Sequence, residues 1–310
     1  MQIGTTYVLT ALAAVMWGAN FNLSKHVLVD LSALTAGAAR FDIAALAMLA
    51  ICAIKGQRVP LIRHGRSYAT LGLVGIAGFN VLFFYGMQTT SAVNAALIMA
   101  LNPLTTALLA FVVGGHRPDL RQLIAFPIGA AGVGVVVLGG GAHFRIAEGD
   151  VLMLAGNLCW AFYNVMVGRL LPREVGALAN TTGLMVAGAV ALSLAAVVAG
   201  APVAAPGSDA LGSLLLMSLG GSILAYLFWN AGIARLGASR TALFLNLVPV
   251  SSTVISAFEG RPPTWEQLTG GAIVIAAVSL AMLGPAARGP APARPSVPSA
   301  ALAAQRKAPC

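Results

Sequence analysis

The chain has 310 residues, 58% hydrophobic and 9% charged, with mean hydropathy +0.87 and a formal net charge of +9. Soluble domains carry about 25% charged residues, and a soluble core of this length has no room for so much apolar surface, so the bilayer is the expected solvent. The positive charge does not point to nucleic acid, because the basic residues are scattered through loops with no single basic face.

At about 20 residues per crossing, ten apolar runs of spanning length are predicted, near 5–24, 33–54, 67–88, 91–113, 120–139, 149–168, 177–199, 210–231, 239–258 and 266–284. The first fifteen residues lack a positive n-region, so the first run reads as a retained span rather than a cleaved leader. It places Trp17, Asn20, Phe21 and Ser24 on one helical face. A face that mixes an aromatic with a carboxamide suits a mostly apolar ligand with a polar head. The alternative for the same residues is glue between helices.

The second span carries Arg40, seven residues in, with Asp42 close by. An arginine at that depth is a functional candidate by default. It could receive a substrate carboxylate through paired hydrogen bonds, or it could bond carbonyls or snorkel outward. The third span offers Phe79, Phe83, Phe84 and Tyr85, of which Tyr85 has a polar handle and also suits an interfacial belt. Gly72, Gly75 and Gly78 recur at every third position and favour close helix packing. The fourth span holds Met99, Asn102 and Pro103. A proline in a helix removes one donor and frees a carbonyl one turn earlier, which fits a hinge or a cavity lining.

The sixth span repeats the pattern of the first with Trp160, Tyr163, Asn164 and Val167. The eighth supplies Tyr226, Phe228 and Trp229, with Trp229 also a belt candidate. The ninth carries Asn246 beside Pro249, a second hinge. From Pro285 onward the composition turns to Pro, Ala, Arg and Ser, and this tail reads as disordered.

Similar stretches recur at a fixed distance. Trp17 pairs with Trp160, Pro103 with Pro249 and Gln122 with Gln267, at offsets of 143, 146 and 145. This divides the chain into a five-helix repeat at 1–140, a second at 141–284 and a tail at 285–310. Five is odd, so the second repeat starts on the opposite side and the repeats are inverted, which places a site near the midplane between them. If the N-terminus is cytoplasmic, inside segments hold 14 basic residues and outside segments three, Lys25, Arg145 and Arg261. By the positive-inside rule both termini face the cytoplasm.

These residues resemble a known family. WGANFNLSK in the first span, Arg40-Phe41 in the second and SAVNAALIMALNPLTTALLAF in the fourth make the chain similar to EamA-type members of the drug/metabolite transporter superfamily. Within it the chain looks most like the YddG-type aromatic amino-acid exporters. The resemblance implies an inner-membrane transporter that exports small metabolites, amino acids with aromatic or apolar side chains among them. Where such proteins often carry a Glu after the fourth span, this chain has Gly114-Gly115-His116-Arg117; its second half has Glu259-Gly260-Arg261.

Ionisable groups are nearly absent from the spans, which argues for facilitated or loosely coupled transport by alternating access. The three cysteines, Cys52, Cys159 and Cys310, give no disulfide framework, and no metal cluster, nucleophile–base pair or cofactor motif occurs. The expected partners are a small-molecule substrate and the lipid bilayer, with no cofactor, no metal and no nucleic acid, and one chain suffices for the pathway. Two alternatives remain open, a carrier of another small metabolite such as a sugar derivative, purine or drug, and an intramembrane enzyme. The second is disfavoured by the lack of paired acid–base residues.

Overall fold

The computed structural model describes residues 2–90, 98–115, 118–138, 148–260 and 262–282, and among them every regular element is helical. Helix α1 spans Ile3–Asp30 and α2 spans Ala33–Ile54. Helix α3 (Gly65–Leu71) continues through a π-helical stretch, Gly72–Gly78, into α4 (Phe79–Thr89). Helices α5 (Asn102–Gly114), α6 (Leu120–Leu138), α7 (Gly149–Leu170) and α8 (Ala177–Val198) follow. Helix α9 (Ser208–Leu216) passes through a second π-helical stretch, Met217–Leu224, into α10 (Ala225–Leu236). A broken run then joins α11 (Ala238–Leu243), a 3-10 turn at Phe244–Asn246 and α12 (Leu247–Phe258). Helix α13 is Trp265–Met282.

Six of these runs are long and apolar enough to cross a membrane: Ala33–Ile54, Gly65–Gly86, Gly149–Leu170, Ala177–Val198, Ser208–Leu236 and Ala238–Phe258. The helices are apolar on nearly all sides, as expected where hydrocarbon replaces water. Large apolar side chains therefore cover the outside; Val29, Ile54 and Phe258 are each more than 80% exposed. The chain is a multi-pass membrane protein.

Helix α1 extends past the predicted span of 5–24 and runs on through Ser24-Lys25-His26 to Asp30. At 1.5 Å per residue its 28 residues make a rod about 42 Å long, whose last turns lie beyond the predicted span. They hold together because Val27 and the following Leu31 bury against Ala36, Leu214 and Met217. The polar residues face outward there, and His26 Nδ1 lies 2.8 Å from Asp209.

The prolines also sit differently from a mid-helix kink. Pro103 lies in the first turn of α5, where its missing N–H is harmless. Pro249 is the third residue of α12, just after the 3-10 turn. In both places the helix breaks before the proline instead of bending around it. Pro127 lies in the interior of α6, and the repeat pattern did not single it out.

Helix starts explain one repeat match. Gln122 N–H donates to Asp119 Oδ1 at 2.8 Å while Asp119 N–H donates to Gln122 Oε1 at 3.1 Å. Thr264 and Gln267 form the same reciprocal box at the start of α13. Gln122 and Gln267 thus match because each completes a capping box.

The expected packing role of the glycines holds for the first π stretch. A Cβ on Gly72 would come within 2.8 Å of Gly188 N on α8, and one on Gly75 would enter the ring of Tyr163 on α7. Residues 91–97 at the start of the predicted fourth span, His116, Arg117, Arg145, Arg261 and the 285–310 tail lie outside the described residues.

Candidate functional site

The structure gathers the aromatic candidates into one cluster. The Trp17 ring lies 5.4 Å from Trp160, 5.7 Å from Tyr226 and 4.9 Å from Trp229. Trp160 stacks on Tyr163 at 5.0 Å, and Phe79 and Phe41 extend the cluster through Trp160 and Tyr226. Edge-to-face and stacked contacts of this kind are favourable for aromatic quadrupoles. Helices α1, α4, α7 and α10 meet here because each brings its aromatic face to the same level. Trp229 and Tyr163 are fully buried, so Trp229 is not an interfacial anchor.

A carboxamide network lies beside the rings. Trp229 Nε1 donates to Asn164 Oδ1 at 2.8 Å, and Asn164 Nδ2 donates to Asn102 Oδ1 at 3.2 Å. Asn102 Nδ2 donates to the Asn157 carbonyl at 3.0 Å, and Asn157 Nδ2 reaches the Ile98 carbonyl at 2.6 Å. Thr105 and Thr106 hydroxyls donate to the Asn157 and Asn102 side-chain oxygens. This network joins α5, α7 and α10. It ties down the helix start beside Pro103 and offers a satisfied partner to every Asn in it. Tyr163 Oη donates to Asn230 Oδ1 at 2.9 Å. Asn246, by contrast, is buried with no partner for either amide atom.

The second π stretch supplies polar groups to two other candidates. Trp17 Nε1 donates to the Gly221 carbonyl at 2.8 Å, and Arg40 Nε donates to Ser222 Oγ at 2.8 Å. A π-helical stretch displaces its carbonyls from the usual i−4 partners and often marks functional positions. Asn20 packs its carboxamide over Gly221, where any Cβ would collide with it. Asp42 does not pair with Arg40. It accepts both its bonds from Ser193 Oγ, at 3.0 and 2.8 Å.

Two spaces open toward the end of the bundle that carries Ser32 and Pro202. A cleft of about 220 Å³ is lined by Ser32, Leu34, Phe84, Tyr85 and Pro202. Deeper in, a cavity reduced to about 20 Å³ is lined by Ser24, Gly37, Arg40, Asn80, Phe84 and Met217. Phe84 lines both. At the opposite end, buried Arg240 Nη2 lies 3.0 Å from Asp119 Oδ2 and fastens α11 to the start of α6. Among the described residues most of the aromatic cluster is buried, and this ion pair ties two helix starts together at the opposite end from the cleft.

Of the sequence-derived candidates, Trp17, Trp160, Tyr163, Tyr226 and Trp229 form the cluster, and Asn102 and Asn164 form the network beside it. Asn20 and Arg40 meet the second π stretch. Tyr85 is exposed at the cleft. Phe83 packs its ring 5.7 Å from both Phe79 and Phe84, and Met99 is half-buried in the turn before α5. The Phe21 side chain lies outside the described residues. Sequence reasoning missed Asn157, Asn230, Asn80 and Ser222. The three asparagines could have been found from composition, because a carboxamide inside an apolar run needs a partner.

The sequence matches the model of the EamA-like transporter family over residues 4–138 and again over 147–283. The chain belongs to the EamA-like transporter family. One relative, the uncharacterized transporter YyaM of Bacillus subtilis (strain 168), is 37% identical over 280 residues, covering 88% of this chain and 92% of its own. A probable terminal-alkyne amino-acid exporter of Streptantibioticus cattleyicolor is 29% identical over 286 residues, covering 90% and 94%. A solved crystal structure superposes with a TM-score of 0.79 at 19% identity, covering 91% of this chain and 98% of that one, a likeness of fold. Family and relatives are transporters, which places this chain among membrane carriers of small molecules.

Proposed function

We propose that this transporter exports amino acids, aromatic and apolar ones among them, across the inner membrane by alternating access. The two family-matching units act as inverted repeats, with both termini in the cytoplasm and one chain forming the whole pathway. The aromatic cluster carries this reading. Trp17, Trp160, Tyr226 and Trp229 bring four amphipathic rings to the junction of both units, where they can part around an apolar side chain. The amino-acid exporter among the relatives supports the substrate class.

The interior is poor in acids. Asp42 is held by Ser193, and an unbalanced lipophilic cation would find little to neutralise it. This supports facilitated or loosely coupled flux. The basic end, where Arg240 meets Asp119, is the cytoplasmic gate in this arrangement, and the Ser32–Pro202 cleft opens to the periplasm.

The test is flux in proteoliposomes that contain this protein alone. Labelled tryptophan, phenylalanine and leucine are expected to move saturably with or without a proton gradient. Saturable flux that requires the gradient would overturn the coupling. No amino-acid flux, with flux of sugars or purines instead, would overturn the substrate class.

A further inference from the structure

The proposed function leaves open which part of a solute the interior recognises first. Arg40 lies seven residues past Ala33, about 10 Å along α2 at helical rise. Its Nε is engaged by Ser222, and its guanidinium sits 5.2 Å from the centre of the Phe41 ring. Neither is a countercharge. Among the described residues no carboxylate stands within 4 Å of it, and Asp42 turns to Ser193 instead. The bond to Ser222 holds the side chain across the bundle rather than out toward a headgroup.

A charge kept at this depth without a partner is costly, and here it lines a cavity. The remaining walls fit one kind of visitor. Asn80 and Ser24 are polar; Val27, Leu28, Phe84, Leu214 and Met217 are apolar. The guanidinium has five donors in a planar fork, of which Ser222 uses one. That fork matches a carboxylate. The cavity holds room for about one water in this conformation. Phe84 lines both this cavity and the larger cleft.

We propose that Arg40 is the docking point for the carboxylate of the transported solute, with Phe84 as the partition between this anion subsite and the outer cleft. The identity of that solute as an amino acid rests on the function proposed above; the carboxylate site does not. The site selects acids over their amides and rejects the corresponding amines, because a cation approaching Arg40 meets like charge.

The test uses purified full-length protein in detergent and pairs of matched probes: indole-3-acetate against indole-3-acetamide and tryptamine, and phenylacetate against phenylacetamide. Binding is read by thermal shift. The carboxylates are expected to bind at least tenfold more tightly than the amides. Arg40→Gln should abolish that preference, and Arg40→Lys should keep part of it, since an ammonium supplies charge without the fork. Equal binding of acid and amide, or an undiminished preference in Arg40→Gln, would overturn the proposal.

Should Arg40→Gln fail to fold, phenylglyoxal labelling of Arg40 in the unaltered protein decides. Protection by the carboxylates and not by the amides supports the site, and no protection overturns it. Flux separates the two claims. Amino-acid transport with the same KM in the unaltered protein and in Arg40→Gln would sink the subsite and leave the function. Carboxylate binding through Arg40 without amino-acid flux would do the reverse.

Discussion

The two π-helical stretches occupy matching places in the two family-matching units, yet they are used differently. In Met217–Leu224, the Gly221 carbonyl takes the Trp17 N–H and Ser222 takes Arg40. In Gly72–Gly78, the Ile76 carbonyl is taken by Asn80 from the next turn of its own helix, at 2.7 Å. Trp160, the counterpart of Trp17, is left buried with no partner for its indole N–H. The prolines tell the same story. The Asn102 side chain beside Pro103 is bonded at both ends, while the Asn246 side chain near Pro249 is buried with no partner. One side of each pair is settled and the other is held open. A buried donor without a partner costs about 1–3 kcal/mol, so Trp160 and Asn246 are where another conformation or a solute has a hydrogen bond to add.

The largest expected contrast is at the asparagines. Asn102→Leu removes the acceptor shared by Asn164 Nδ2 and the Thr106 hydroxyl and should lower stability by about 3 kcal/mol. Asn246→Leu has the same shape change, removes two orphaned groups, and should be neutral or stabilising by about 1 kcal/mol. Thermal and denaturant unfolding in one detergent compare them; equal losses would break the contrast. Slower flux in Asn246→Leu would sharpen it, because the variant would favour the closed form.

Next come the glycines. Gly75→Ala drives a methyl into Tyr163 and should cost about 1–3 kcal/mol. The corresponding Gly220 has open space beside it, so Gly220→Ala should gain up to about 1 kcal/mol from helix propensity. Unfolding midpoints that fall together would show that the first π stretch is not tightly packed.

The tryptophans give a smaller effect. Trp17→Phe leaves the Gly221 carbonyl without its donor and should cost about 1 kcal/mol more than Trp160→Phe, which removes an unpaired N–H. The reverse order would contradict the assigned bonds. The smallest effect is at the basic end, where a double-mutant cycle on Arg240 and Asp119 should give a coupling of about 1 kcal/mol, since Asp119 is partly open to solvent. A coupling near zero would remove that pair as a latch.

Much of this was legible before the structure. The apolar runs, the aromatic faces of Trp17 and Trp160 and the offset near 145 follow from composition and helical periodicity. The two π stretches were not legible, because an extra residue in a helical turn is stabilised by neighbours such as Tyr163 and Gly188 that are remote in sequence. The continuation of α1 beyond the predicted span was not legible for a similar reason. Its last turns are polar locally and are kept helical by Leu214 and Met217. For Arg40, sequence offered a choice between pairing and binding. Its bond to Ser222 and its place on a cavity wall come from a contact 182 residues away.

The central claim is that the two ends of the bundle open in turn. Spin labels across the cleft end, on Leu34 and Ala201, and across the basic end, near Arg240 and Asp119, would report both widths in proteoliposomes. The account predicts that saturating tryptophan shifts the two distance distributions in opposite senses, one narrowing as the other widens. If both widths stayed fixed, or widened together, while flux proceeded, alternating access between these ends would be wrong.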